Sequence, residues 1–554
     1  MATSSNTAEP NTIGQQLLPF SVDAKSFSVW LNKLEKEDKL HALQVLADTL
    51  NKLKKMPIPA DLRGIFLEKV SLWIQPMFKQ LQNNLAGSFF PFSENNNLII
   101  NLLQNCAFEI SENYALICKD DSFKASLLFS SAQKASILIY AMQAMSAVQF
   151  YKSILYKQQS KGFWGLCFLF YLFAKQNEVL EIVSSGQKTS FIKLFKQLLI
   201  FQMSNTQQFN TEDLYTIFNL LGNLSEKIDL LPMVPEKRIN SVPCINLRVD
   251  APPAVSKDVI GKTSPYLFYI STLNVIKQLF DLSANNKRIS YSDKVMVLRL
   301  IKTLTMNQHR KNERKLADNE IFAEIGFDKF TQFLLHKESL LQTKGVVSYE
   351  VRDLDIVETV DKNAKDNLFG YNADLDASLS LAKDPYEEDP TQVHRKDIWK
   401  PKEKKLKLDD VGVGKDINAT LIDQSEYGFC VRLKEKGLTT KVGDIIHLII
   451  HPTSIVTVVR RIISNDEIEV VVGVEVLGYD AELLHVMDIE HQESKSASIL
   501  VNIEGEKSII IKADDYKNEE FLYIDKDDKV LQYRVEKILD SSTSTIKNLK
   551  VSLS

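Results

Sequence analysis

One short stretch of the 554-residue chain combines an acceptor, a hydroxyl and a conformational hinge: Asp423-x-Ser425-x-x-Gly428. A carboxylate placed there accepts from base or backbone donors. The serine adds a short hydroxyl, and the glycine permits a tight turn or the close approach of a ligand. The same residues equally suit a plain hairpin turn in which Asp423 and Ser425 cap their own backbone. An R-x-x-x-R at Arg310 and Arg314 lies 109 residues upstream of Asp423, in text of helical period, and reads as a surface charge cluster. His447 and His451 form an H-x-x-x-H, but they fall in a β-branched run. Four residues of strand set the two rings about 13 Å apart, too far for one metal. The five cysteines are scattered without a C-x-x-C, and neither H-E-x-x-H nor G-x-x-x-x-G-K-[ST] occurs. Structural zinc, a disulfide framework and a nucleotide-hydrolysing loop are therefore not expected, and Ser425 has no neighbouring histidine to activate it. The chain reads as a non-enzyme with no metal and no cofactor.

The elements that must position these residues divide the chain by composition. With 44% hydrophobic and 25% charged residues it has the make-up of a soluble globular protein of several domains. A net charge of −4 gives the whole no reason to coat nucleic acid or an anionic membrane. Residues 1–23 lack a basic and an apolar signal region and read as a disordered tail. No proline occurs between Pro91 and Pro232, and only Gly162, Gly165, Gly186 and Gly222 interrupt that run. Apolar residues recur in it at helical spacing, as in Ile137, Leu138, Ala141, Met142 and Met145, so at least seven helices are expected before residue 232. The apolar stretches 135–151 and 163–174 are too short or too broken to span a bilayer and suit buried helices. Residues 238–266 turn extended, with Pro243, Pro252 and Pro253, and helical pattern resumes from Leu267 to about Leu340. A helical domain over 24–345 follows.

Residues 353–391 hold eleven Asp/Glu against three Lys, and a linker is expected over 346–393. The sign then reverses: 394–407 carries seven Lys/Arg against two acids, a basic arm. Beyond it five short β-branched runs, 417–422, 429–433, 444–450, 455–463 and 468–476, predict a small barrel ending near 492. Asn465-Asp466 marks a hairpin turn in it. Five more runs between 497 and 551 predict a further β-rich C-terminal segment over 493–554. The fold class is multidomain α plus β, an all-α N-terminal domain followed by an antiparallel β-barrel.

Four landmarks in this β region, in order, resemble the PilZ domain proteins. They are the turn Asp423-Gln424-Ser425-Glu426-Tyr427-Gly428; Val442-Gly443-Asp444 before the third strand; Val458-Val459-Arg460; and Val472-Gly473-Val474-Glu475. The layout, with a helical half ahead of the barrel, is similar to the long gammaproteobacterial members. Softer points of likeness are Trp164 and Asp250-Ala251-Pro252-Pro253. The resemblance implies binding of cyclic di-GMP, with Asp423, Ser425 and Gly428 on one side of the ligand. It also implies an R-x-x-x-R on the arm before the first strand, whose guanidiniums grip phosphate and stack on guanine.

The arm at 394–407 does not carry that pair. It offers Arg395, Lys396, Lys400 and Lys402 as ligand-binding candidates, with Trp399 as an arm-packing or stacking residue. Each charge-assisted bond to phosphate contributes about 1.5–3 kcal/mol, so two lost arginine grips would cost roughly 10²–10⁴ in affinity. Two functions follow. One is a cyclic di-GMP-responsive signalling adaptor whose helical half binds an unknown protein partner. The other is a degenerate PilZ scaffold that binds protein and no nucleotide. No nucleic-acid partner and no transmembrane segment are expected, and the reduced, scattered cysteines suit the cytoplasm.

Overall fold

Short polar residues set where the helices begin. Asp23, Asp38, Ser93, Ser130 and Asn210 each accept, through the side chain, from backbone N–H groups of the turn that follows. This satisfies donors that a helix start leaves open. The computed structural model describes residues 18–344 and 418–553, apart from 86–87, 125–128, 185–186, 233–242, 256–263, 286–289, 306–313, 426, 435–437, 451–452, 465–468, 488–494, 504, 517–519, 527–528 and 541–545. The linker, the basic arm and the Asn465-Asp466 turn lie outside the described residues. Two compact units emerge, the first chiefly of residues up to Ala284 and the second chiefly of those from Asn285 onward.

The first unit carries α1 (Ala24–Leu34), α2 (Lys39–Lys54), α3 (Ala60–Leu85), α4 (Glu94–Lys119), α5 (Asp121–Lys124), α6 (Ser131–Ile154), α7 (Phe163–Gln176), α8 (Phe191–Met203) and α9 (Thr211–Leu224). Helix α6 lies between α4 and α8 and is buried on nearly every side, as a helix apolar all round must be. Arg63 closes the end of α2: Nη1 donates to the Leu53 carbonyl at 2.8 Å and to Asn113 Oδ1 at 2.7 Å, and Nη2 donates to the Met56 carbonyl at 2.8 Å. The extended segment becomes β1 (Asp229–Leu231), β2 (Pro243–Asn246), β3 (Ala254–Val255) and β4 (Leu267–Ser271), a small sheet in the order β1-β4-β2-β3, and α10 (Leu273–Asn285) follows. This segment also explains one softer point of likeness. Helix α7 starts at Gly162, which sits at φ +90° and offers no capping side chain. Asp250 does the capping from afar, accepting from the Gly162 and Gly165 N–H groups at 2.5 and 2.8 Å.

The second unit begins with α11 (Tyr291–Thr305), and here the expected helical run to Leu340 is broken. Lys315–Ile325 is a strand, β5, and α12 (Phe327–Lys344) leaves it at Gly326, a glycine at φ +99°. The remaining strands are β6 (Ala419–Ser425), β7 (Gly428–Leu433), β8 (Ile445–Ile450), β9 (Thr453–Ser464), β10 (Val470–Met487), β11 (Lys495–Ile503), β12 (Glu506–Lys512), β13 (Phe521–Lys526), β14 (Lys529–Asp540) and β15 (Ile546–Leu553). All pair antiparallel, and the pairings return twice to their starting strand. One circuit runs β5-β6-β7-β10-β9-β8 and back to β5. The other runs β10-β11-β12-β15-β14-β13 and back to β10.

Numbered from its own first strand, each circuit has the order 1-2-3-6-5-4, and β10 closes the first while opening the second. The first-strand assignment therefore changes. Strand β5, from text read as helical, opens the first circuit, and the strand after the basic arm is its second. Asn418 fixes the join, its side chain exchanging two hydrogen bonds with Ala323 at 2.9 and 2.8 Å, as a paired strand residue would. Helix α12 lies over both circuits, its Phe327, Phe330 and Leu334 sharing one buried cluster with Ile445, Val458, Ile499 and Ile510.

Candidate functional site

The Asp423 turn is the tip of the β6–β7 hairpin, with Ser425 paired to Gly428. Ser425 Oγ donates to the Gly428 carbonyl at 3.1 Å, so this hydroxyl serves the turn, as the plain-hairpin reading has it. Gly428 is required by its neighbour: a Cβ there would stand 2.2 Å from the Val474 carbonyl oxygen on β10. The Val476 N–H holds the other side of the turn through the Tyr427 carbonyl at 3.0 Å, and the Tyr427 side chain is about half exposed.

Among the described residues Asp423 caps no backbone group of its own turn. Both of its oxygens accept from Nη1 of Arg314, at 2.6 and 2.8 Å. The carboxylate is 6% exposed and the arginine 26%. The R-x-x-x-R read as a cluster in the helical half thus ends at the head of β5, whose Lys315 and Leu316 pair with Gln424 and Asp423. Strand irregularities fall at this corner, between Leu316 and Asn319 and between Leu421 and Asp423. They let side chains leave the regular alternation and turn toward one another. Arg310 lies outside the described residues, as do Arg395, Lys396, Lys400, Lys402, Trp399 and His451.

The other landmarks frame the same circuit. Gly443 adopts φ +98°, donates to the Val459 carbonyl at 2.8 Å, and lets Asp444 receive the Lys441 N–H at 2.8 Å. Burial holds the Asp444 carboxyl above the usual range. Arg460 Nε meets Glu475 Oε2 at 2.5 Å. Over Gly473 lies the Arg461 side chain: a Cβ at that glycine would be 2.7 Å from Nε and 2.8 Å from Cγ.

His447 is a core residue on β8. Its ring stacks on Phe330 at 4.3 Å, its Nε2 is 2.7 Å from Ser454 Oγ, and burial pushes its pKa down to about 3. Among the described residues no group of three or more His, Cys, Asp or Glu could hold a metal ion. All five cysteines are buried. The residue that sequence reasoning missed is Arg314. The available signal was the alternation of Ile321, Ala323 and Ile325, buried, with Phe322 and Glu324 between them, a period of two directly after the arginine.

A family model described as the cyclic-di-GMP receptor FimW, N-terminal domain, matches residues 25–236. That span is under half of the chain and runs from α1 past β1. No curated protein and no solved structure matches the chain. Among the described residues no helix is long and apolar enough to cross a membrane.

Proposed function

We propose that the protein is a cyclic di-GMP-responsive, non-catalytic signalling adaptor of the cytoplasm, with a PilZ-like barrel as its reader and the helical unit as the surface for a protein partner. The observation that carries this reading is the Arg314–Asp423 contact. The PilZ resemblance asks for an R-x-x-x-R immediately ahead of the first barrel strand, together with the D-x-S-x-x-G turn. Arg310-x-x-x-Arg314 and Asp423-x-Ser425-x-x-Gly428 meet that demand once β5 is counted as the first strand. The matched family is described as a cyclic-di-GMP receptor, and its match lies on the helical portion, so separate portions of the chain support one ligand.

In this reading Arg314 grips a phosphate with the guanidinium atoms that Asp423 leaves uncommitted, since the carboxylate occupies only Nη1. Arg310 supplies the second grip. Arg395, Lys396, Lys400 and Lys402, which precede β6 in the sequence, add charge without the arginine fork. Asp423, Ser425 and Gly428 form the turn beside Arg314, with Asp423 holding the guanidinium in place. Titration calorimetry of the full chain with cyclic di-GMP tests it. Micromolar binding by the wild type, reduced more than tenfold by Arg314→Lys, is the expected result.

The second reading, a degenerate PilZ scaffold that binds only protein, draws on the same contact, because Arg314 is already engaged by Asp423. Absence of heat at millimolar cyclic di-GMP would select it.

A further inference from the structure

A cross-strand row leads from the Arg314 corner to a second arginine. Asp423 on β6 pairs with Cys430 on β7, Cys430 pairs with Gly473 on β10, and Gly473 pairs with Arg461 on β9. Residues paired in antiparallel register project from the same face of a sheet. Asp423 and Arg461 therefore share a face, three strand spacings apart, or about 14 Å. Arg314 reaches that row at its Asp423 end.

Arg461 does not stand upright at the other end. Its Cγ, Cδ and Nε all come within 3.2 Å of where a Gly473 Cβ would be, so the side chain leans from β9 over Gly473 of β10. Gly473 makes this possible, since any side chain there would occupy the same space. On the same face in the next row stands Glu475, opposite Gly428, and its carboxylate is engaged by Arg460 at 2.5 Å. Arg432, whose partner Val471 lies two residues before Gly473, is engaged by Glu469 at 3.5 Å.

We propose that Arg461 is a third ligand-binding arginine, laid over Gly473 so that it takes the second phosphate of a two-phosphate cyclic dinucleotide whose first phosphate is held at Arg314. The inference rests on the reading of the Arg314 corner as a cyclic di-GMP site. A two-fold ligand offers two like anions separated across its ring, and arginines approaching one row from both ends match that demand better than two from the same arm.

Titration calorimetry of the full chain with cyclic di-GMP, at two salt concentrations, tests it. Arg461→Ala is expected to weaken binding ten- to a hundredfold and to make the remaining affinity less sensitive to salt. Gly473→Ala, which displaces Arg461 without removing its charge, should weaken binding in the same direction. Arg461→Lys, with charge but no fork, should fall between. Thermal unfolding alongside identifies any variant that fails to fold, in which case Arg461→Lys carries the decision. Wild-type affinity and salt dependence in folded Arg461→Ala or Arg461→Lys overturn this inference alone and leave the Arg314 site standing. Absence of wild-type binding overturns both.

Discussion

Arg314 meets Asp423 through a single nitrogen: Nη1 donates to both carboxylate oxygens, at 2.6 and 2.8 Å, across 109 residues of sequence. The pair is asymmetric in burial, the aspartate 6% exposed and the arginine 26%. The two truncations should therefore differ. Arg314→Ala strands a buried carboxylate and should cost about 3 kcal/mol, whereas Asp423→Ala leaves an arginine that water can reach and should cost roughly 1–2 kcal/mol. The double variant should lose less than the sum. Urea unfolding of the four proteins in the cycle measures this, and simple additivity would count against the contact.

His447 predicts how the second unit responds to acid. Its ring is neutral when folded because burial, helped by the Lys337 ammonium, holds its pKa near 3 against an ordinary 6.5. The depressed value means that the unfolded chain takes up the proton first. This stabilising contribution is complete above about pH 6.5 and is lost as pH falls toward 3, at about 1.4 kcal/mol per pH unit. Lowering pH from 7 to 5 should remove about 2 kcal/mol, and His447→Phe should flatten that slope. Chemical denaturation at both pH values would show whether it does.

Two glycines separate crowding from backbone conformation. At Gly428 an added methyl meets the Val474 carbonyl at 2.2 Å, while at Gly505, with φ +87°, nothing lies within 4 Å. Gly428→Ala should cost roughly 2–3 kcal/mol and disturb ligand binding with it, because β10 cannot retreat without breaking its ladder. Gly505→Ala pays only for its backbone, about 1 kcal/mol, and should leave the Arg314 corner intact. Melting temperatures of the two variants rank them.

The thiols offer a check on the folded core. All five cysteines are buried, and burial drives the Cys106 thiol up to about 12. A thiol reagent at pH 8 should find no reactive cysteine in the native chain and all five in denaturant.

Much of this fold is legible in the residues. The helical run without proline, the β runs after 417 and the D-x-S-x-x-G hairpin all stand where periodicity puts them. The failure at β5 has a physical cause. Lys315–Ile325 is flanked on both sides by helix, and in its first half the burial pattern runs exposed or half-buried, because strand pairing rather than an apolar stripe holds it. Its partners Ala419–Ser425 lie about a hundred residues later, a separation that local pattern cannot see. The end of β10 was missed for a related reason. Leu477 to Met487 contains Gly478 and the left-handed Asp480, with register shifts on either side, so the β-branched run stops at Val476 although the strand continues to Met487. The candidate site depends on the first of these errors. Arg314 and Asp423 are ordinary residues until topology makes β5 the neighbour of β6.

Sharing β10 between the circuits also limits how this region could be exchanged in evolution. The strand is about 60 Å long at the usual rise, and its first half pairs with β7 and β9, its second with β11 and β13. A slip of one residue would turn both sets of buried side chains outward at once, so its alignment is fixed from two directions. A recombination joint placed between the two circuits would have to cut through a paired strand. A fusion that borrowed one circuit would have to carry β10 with it and so take the strand that closes the other.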